Sequence, residues 1–117
     1  MADSIKIFHN PRCSKSRTTL ALLTEKGFQA NVVEYLKTPP SKQELEDILK
    51  MLGLQPRQLM RTHESEYKDN NLADESLSHD QLIEAMLKYP RLIERPIVIN
   101  NGNAAIGRPP ETVLNIL

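Results

Sequence analysis

The chain has one cysteine, Cys13, and it stands in the run His9-Asn10-Pro11-Arg12-Cys13-Ser14-Lys15-Ser16-Arg17, among three cationic side chains and a histidine. The nucleophilic form of cysteine is the thiolate, which nearby cations and the unpaired amides of a helix N-terminus favour. From Ser14 the pattern turns helical, so Cys13 falls at a helix start, where free N–H groups and a partial positive charge suit an anion. Arg12, Lys15, Arg17 and a protonated His9 would depress the thiol pKa further, and Asn10, Ser14, Lys15 and Ser16 would line the anion site. An isolated cysteine is more often an inert buried residue, but the flanking charge and the helix-start position oppose that outcome here. Cys13-Ser14-Lys15-Ser16 also has the spacing of a redox Cys-x-x-Cys pair with serine in the second place. Such a monothiol can attack an electrophile but cannot release the product as an internal disulfide, so it needs an external thiol, of which glutathione is the obvious intracellular source.

The elements that would position this turn follow from periodicity and caps. Ser4-Ile5-Lys6-Ile7-Phe8 alternates like a strand, and Leu20, Ala21, Leu22 and Leu23 give the following helix its apolar content, with Gly27 as its stop. Val32–Leu36 reads as a second strand, and a strand, helix and strand this close together imply a parallel, right-handed pairing. Ser41-Lys42-Gln43-Glu44 and Ser78-His79-Asp80-Gln81 are capping boxes that open two helices. The first carries Leu45, Ile48, Leu49 and Leu52 and stops at Gly53; the second carries Leu82, Ile83, Met86 and Leu87 and ends before Pro90. A short helix opens at Pro56 and brings in Leu59 and Met60. His63–Asn71 is polar and reads as a mobile loop. Ile97–Asn100, Asn101-Gly102 and Asn103–Ile106 spell a two-residue hairpin, and Pro109-Pro110-Glu111 starts a last helix with Val113, Leu114, Ile116 and Leu117. The order is β-α-β, helices, β-β-α: an α/β core of about residues 1–38 and 91–117, with an all-helical insertion at about 39–90, forming one domain.

Composition excludes several functions. With 117 residues the chain can bury a self-supporting core without disulfides or a structural metal. Fifteen Lys+Arg balance fifteen Asp+Glu, giving a formal net charge of zero, so no long-range field draws in nucleic acid or anionic lipid. A lone cysteine rules out a secreted disulfide scaffold and points to a reducing, cytoplasmic compartment. No signal peptide or apolar run of membrane-spanning length is legible. The three histidines and one cysteine lack metal-ligand spacing, so no metal site is expected. Arg57 and Arg91 read as solvated surface residues.

His9-Asn10-Pro11-Arg12-Cys13, Leu59-Met60-Arg61, Asp80-Gln81-Leu82-Ile83, Arg95-Pro96-Ile97-Val98 and Arg108-Pro109 occur in this order along essentially the whole chain. In these segments the sequence strongly resembles the glutaredoxin-coupled arsenate reductase family. The resemblance implies a thioredoxin-like fold with a mixed four-stranded sheet, and a catalytic set of Cys13 as nucleophile with Arg61, Arg95 and Arg108 holding the oxyanion. It also places His9 near the thiol and makes Pro96 cis. Planar guanidinium forks suit a tetrahedral oxyanion such as arsenate. The implied activity is reduction of arsenate, or a related oxyanion, to the arsenite level, with glutathione and glutaredoxin as reductants and no bound cofactor. Two other readings stay open. One is a regulator that binds RNA polymerase, although Ser16 removes the thiol pair such a switch uses; the other is a glutathione-dependent monothiol transferase acting on protein mixed disulfides.

Overall fold

The computed structural model describes residues 5–117, so Ser4, expected at the start of the first strand, lies outside the described residues. The chain separates into two compact units, one formed by residues up to Thr38 with Arg95–Leu117, the other by Pro39–Glu94.

The first unit is built on a mixed four-stranded sheet. β1 (Lys6–Phe8) lies between β2 (Asn31–Val33), to which it is parallel, and β3 (Ile97–Asn100), to which it is antiparallel; β4 (Asn103–Ile106) closes the order β2-β1-β3-β4. Ile7 stands opposite both Val32 and Val98. Ile5 and Ile7 share one face of the strand by its two-residue period, and they form a core with Leu23, Val98, Ala105 and Val113. Full burial of each such aliphatic side chain stabilises by about 1.5–3 kcal/mol. α1 (Ser14–Glu25) and a 3₁₀ helix at Pro110–Ile116 pack together. α1 buries Ser16, Thr19 and Leu23 rather than a purely apolar stripe, and Ala21 is exposed. The hairpin turns through Asn101 (φ 51°) and Gly102 (φ 79°), as a type I′ turn requires.

Two elements of this unit differ from expectation. β2 starts at Asn31 and ends at Val33, because the amides of Lys37 and Thr38 both donate to Glu34 O at 2.9 Å and fold residues 34–38 into a turn around the buried Tyr35. The final helix is 3₁₀, not α, and begins at Pro110; Thr112 N donates to Pro109 O at 3.0 Å in the i to i+3 pattern.

The second unit is helical: α2 (Lys42–Leu52), α3 (Pro56–Leu59), α4 (Ser65–Asp69), α5 (His79–Lys88) and a 3₁₀ turn at Pro90–Leu92. Ser41 Oγ accepts from Glu44 N at 3.1 Å, and the Ser78/Gln81 box is complete, at 3.2 and 2.8 Å. Gly53 ends α2 at φ 69°. α2 and α5 pack, and their buried faces carry Leu45, Ile48 and Leu49 on one and Leu82, Ile83 and Met86 on the other. Met60, expected inside the short helix, is its extended C-cap and bridges to Ile93. Residues 91–94, expected with the core, belong to this unit: Arg61 N donates to Leu92 O at 2.7 Å and Glu94 N to Leu59 O at 2.9 Å.

The stretch expected to be a mobile loop contains α4. It has no buried residue of its own. Arg57 holds its C-terminal side in place, donating to Tyr67 Oη at 2.8 Å, to Leu72 O, and to Asp74 O at 2.9 Å. Arg91 binds Glu64 Oε1 at 2.9 Å and Glu66 Oε2 at 3.6 Å. Arg57 and Arg91 therefore have partners and are not merely solvated.

Candidate active site

Cys13 is the N-cap of α1, in extended conformation (φ −97°, ψ 125°), and is 9% exposed. The turn before it is closed by Cys13 N donating to Asn10 O at 3.0 Å and Arg12 N donating to Asn10 Oδ1 at 3.0 Å. Cys13 O begins the helix by accepting from Arg17 N at 3.0 Å, and Arg17 Nη1 returns to Pro11 O at 3.0 Å. Asn10 is thus an organiser of the turn through both its backbone and its side chain.

Ser16, fully buried, ties the turn to β1. Its Oγ accepts from Asn10 N at 3.0 Å and lies 2.7 Å from Nδ1 of His9, which is 7% exposed. Burial drives the His9 pKa down; Glu34 opposes this and Arg17 adds to it, and the net shift is downward. In the neutral tautomer with its proton on Nε2, His9 accepts a hydrogen bond at Nδ1 from the Ser16 hydroxyl, whose lone pairs accept from Asn10 N–H. Its lowered pKa disfavours the protonated form expected beside the thiol. The Nδ1 partner of His9 is Ser16, which ties the imidazole to the Cys13 turn.

The thiol itself is held below the ordinary cysteine value. Burial pushes it up, but the amide of Ser16, the hydrogen bond and charge of Arg95, and the amide of Lys15 outweigh that penalty. Arg108 Nη2 donates to Sγ at 3.7 Å, and Arg108 Nε donates to Arg95 O at 2.9 Å, which locks one arginine against the backbone of the other. Both arginines precede cis prolines, at Arg95–Pro96 and Arg108–Pro109; the second was not foreseen. Arg12, Lys15 and Ser14 are exposed, so the side-chain cations at the sulfur are the sequence-distant Arg95 and Arg108 rather than Arg12 next door. Gly107 permits this approach. A Cβ there would lie 2.5 Å from Thr19 Oγ1 and 2.8 Å from Pro96 Cγ, while its amide donates to Pro96 O at 2.9 Å. Nothing local in the sequence signals this close packing.

Arg61 belongs to the helical unit, where Nε donates to Glu64 Oε2 at 3.0 Å and Nη1 to Glu94 Oε1 at 2.9 Å. Burial alone would lower its pKa, but the two carboxylates raise it. Of the four expected catalytic residues, the first unit brings together Cys13, Arg95 and Arg108. Glu46, His79 and Asp80 form a cluster the spacing did not reveal, with His79 Nε2 2.7 Å from Glu46 Oε1 and Asp80 Oδ1 3.7 Å from Lys42 Nζ. These pairings link α2 to α5.

The arrangement sets the Cys13 sulfur in a cradle of amides and guanidinium groups that favours its thiolate form and suits a tetrahedral oxyanion. No helix among the described residues is long and apolar enough to cross a membrane. Residues 8–116 match the model of the ArsC family. A relative in Escherichia coli strain K12, YfgD, is 57% identical and is covered over 99% of its length by 100% of this chain. A Neisseria meningitidis serogroup A protein named arsenate reductase is 52% identical, with 97% of each chain covered. The solved structure of an arsenate reductase from Vibrio cholerae superposes with a TM-score of 0.97 at 53% identity, covering 100% of both chains.

Proposed function

The chain belongs to the ArsC family, and on that premise we propose that it reduces arsenate to arsenite in the cytoplasm, using glutathione and glutaredoxin as reductants. The observation that carries this reading is the pair of arginines at the thiol: Arg108 Nη2 lies 3.7 Å from Cys13 Sγ, and Arg95 hydrogen-bonds the same sulfur. A site for protein disulfides or for a polymerase subunit has no need of two guanidinium groups converging on sulfur, whereas a tetrahedral oxyanion does.

The Cys13 thiolate attacks arsenic(V); a sulfur–arsenic bond forms and one oxygen leaves as water. Arg95 and Arg108 hold the remaining oxygens, and the Lys15 and Ser16 amides stabilise the negative charge before and after attack. The glutathione thiol displaces a second oxygen as water. A glutaredoxin thiolate then attacks the glutathione sulfur. The new disulfide carries both thiols away, the electron pair of the arsenic–glutathione bond passes to arsenic, and arsenic(V) becomes arsenic(III). Water releases arsenite from Cys13 and restores the thiol. His9 and Asn10 hold the turn through Ser16, while Arg12, Lys15 and Ser14 present charge and hydroxyl at its mouth. Arg61, the third arginine of the family pattern, is held within the helical unit by Glu64 and Glu94.

The test is NADPH consumption with arsenate in an assay coupled through glutathione, glutathione reductase and glutaredoxin. Arsenate-dependent turnover is expected, is abolished in Cys13→Ser, and falls on the order of 10–10³-fold in Arg95→Ala. No turnover by a chain whose Cys13 still alkylates rapidly at neutral pH rejects arsenate as the substrate.

A further inference from the structure

Beside the Cys13 turn lies a cavity of about 370 Å³, lined on one side by Asn10, Pro11 and Arg12 and on the other by Glu34, Leu36 and Lys37. Its second wall is the end of the segment that reads as a second strand in the sequence but folds as a turn. Buried Tyr35 anchors that turn, and the Lys37 and Thr38 amides close on Glu34 O. Glu34, Leu36 and Lys37 are thereby left exposed. His9 N donates to Val33 O at 2.8 Å, which sets the two walls in register. The volume is at the small end of the range typical of small-molecule sites.

The charges in this cavity are specific. Lys37 Nζ stands 3.5 Å from Glu34 Oε1, an adjacent cation and anion that complement the ammonium and carboxylate of an α-amino-acid end group. Arg12, the residue before the nucleophile, supplies a second cation, suited to a second carboxylate. Leu36, 39% exposed, offers an apolar patch between polar groups. An oxyanion needs none of this. A peptide with one amino-acid zwitterion, one further carboxylate and a thiol between them does.

We propose that this cavity binds glutathione, with Glu34 and Lys37 taking the γ-glutamyl zwitterion and Arg12 the glycyl carboxylate, so that the thiol is delivered to the centre carried by Cys13. The proposal rests on the function given above and adds the site of its co-substrate. Binding is non-covalent, and the bond-making step is the displacement of water from arsenic already described.

S-methylglutathione, which cannot react, separates binding from turnover. Titrated into the ¹⁵N-labelled chain, it is expected to shift the amides of Asn10, Arg12 and residues 34–37, and its affinity is expected to fall about five- to tenfold in Lys37→Glu while Lys37→Arg keeps it. In the arsenate assay the KM for glutathione should rise by the same factor in Lys37→Glu, with the KM for arsenate and the rate of Cys13 alkylation unchanged. Lys37 is highly exposed, its side chain 80% accessible, so the variant should fold. Unchanged affinity and unchanged glutathione KM in Lys37→Glu, or amide shifts elsewhere in the chain, overturn the proposal. If the wild-type chain does not turn over arsenate, the function fails, and the S-methylglutathione titration still decides whether the cavity binds the tripeptide.

Discussion

Cys13 sits in a balance of opposing effects. Taking a thiol out of water favours its neutral form, yet the Ser16 and Lys15 amides and the Arg95 guanidinium bring the net pKa below the ordinary value. The alkylation rate plotted against pH should therefore have its midpoint below the free-cysteine value of about 8.5, and Arg95→Ala should move it upward. A midpoint at or above that value in the wild-type chain removes the nucleophile from the mechanism. The same shift links folding to pH. Because the folded thiol has the lower pKa, its contribution to stability is fully present above the unfolded value and is lost as pH falls through the folded one. His9 behaves likewise, since burial keeps it neutral and depresses its pKa, but its window lies below about 6.5. Urea unfolding across pH should show both rises in stability, and Cys13→Ser should remove only the alkaline one.

At the scale of elements, the close approach of the β4 exit to α1 sets the arginine geometry. Gly107 is the residue without which Arg108 and Pro96 could not sit where they do: an added methyl meets Thr19 Oγ1 at 2.5 Å and Pro96 Cγ at 2.8 Å. Gly107→Ala should cost about 1–3 kcal/mol of stability by overpacking and lower arsenate turnover together with it. Gly53→Ala, with open space but φ 69°, should cost only about 1 kcal/mol and leave turnover intact. Thermal unfolding and the coupled assay on both variants check the difference. This packing was not legible in the sequence, whereas α2, α5 and the hairpin were, because Ser41, Ser78, Gly53 and Asn101-Gly102 act within a few residues of themselves. The end of β2 misled for the converse reason. Val32–Leu36 reads as a strand, but the Glu34 carbonyl captures two following amides and turns the chain. Cys13 at a helix start could be read from its neighbours. Its arginines could not: the Arg108 contact spans 95 residues, and only the family pattern named it in advance.

At the scale of the whole molecule, the two units carry different polar frameworks. Every group found to act on the Cys13 thiol, namely the Lys15 and Ser16 amides, Arg95 and Arg108, lies in the sheet-bearing unit. The helical unit has its own polar framework, in which Arg57 satisfies Tyr67 Oη and the carbonyls of Leu72 and Asp74, and Glu64 is shared between Arg61 and Arg91. α4 has no buried side chain, so its order depends on such contacts rather than on an apolar face. Arg57→Ala strips three donated hydrogen bonds from one partly buried guanidinium, at an expected cost of about 1–3 kcal/mol. The loss should be local. Amide hydrogen exchange should accelerate across residues 64–74 and leave β1, β3 and α1 protected, and the pH midpoint of Cys13 alkylation should not move. If exchange instead rises uniformly through both units, the chain unfolds as one cooperative body. The sheet-bearing unit would then draw stability from the arginine framework of the helical one.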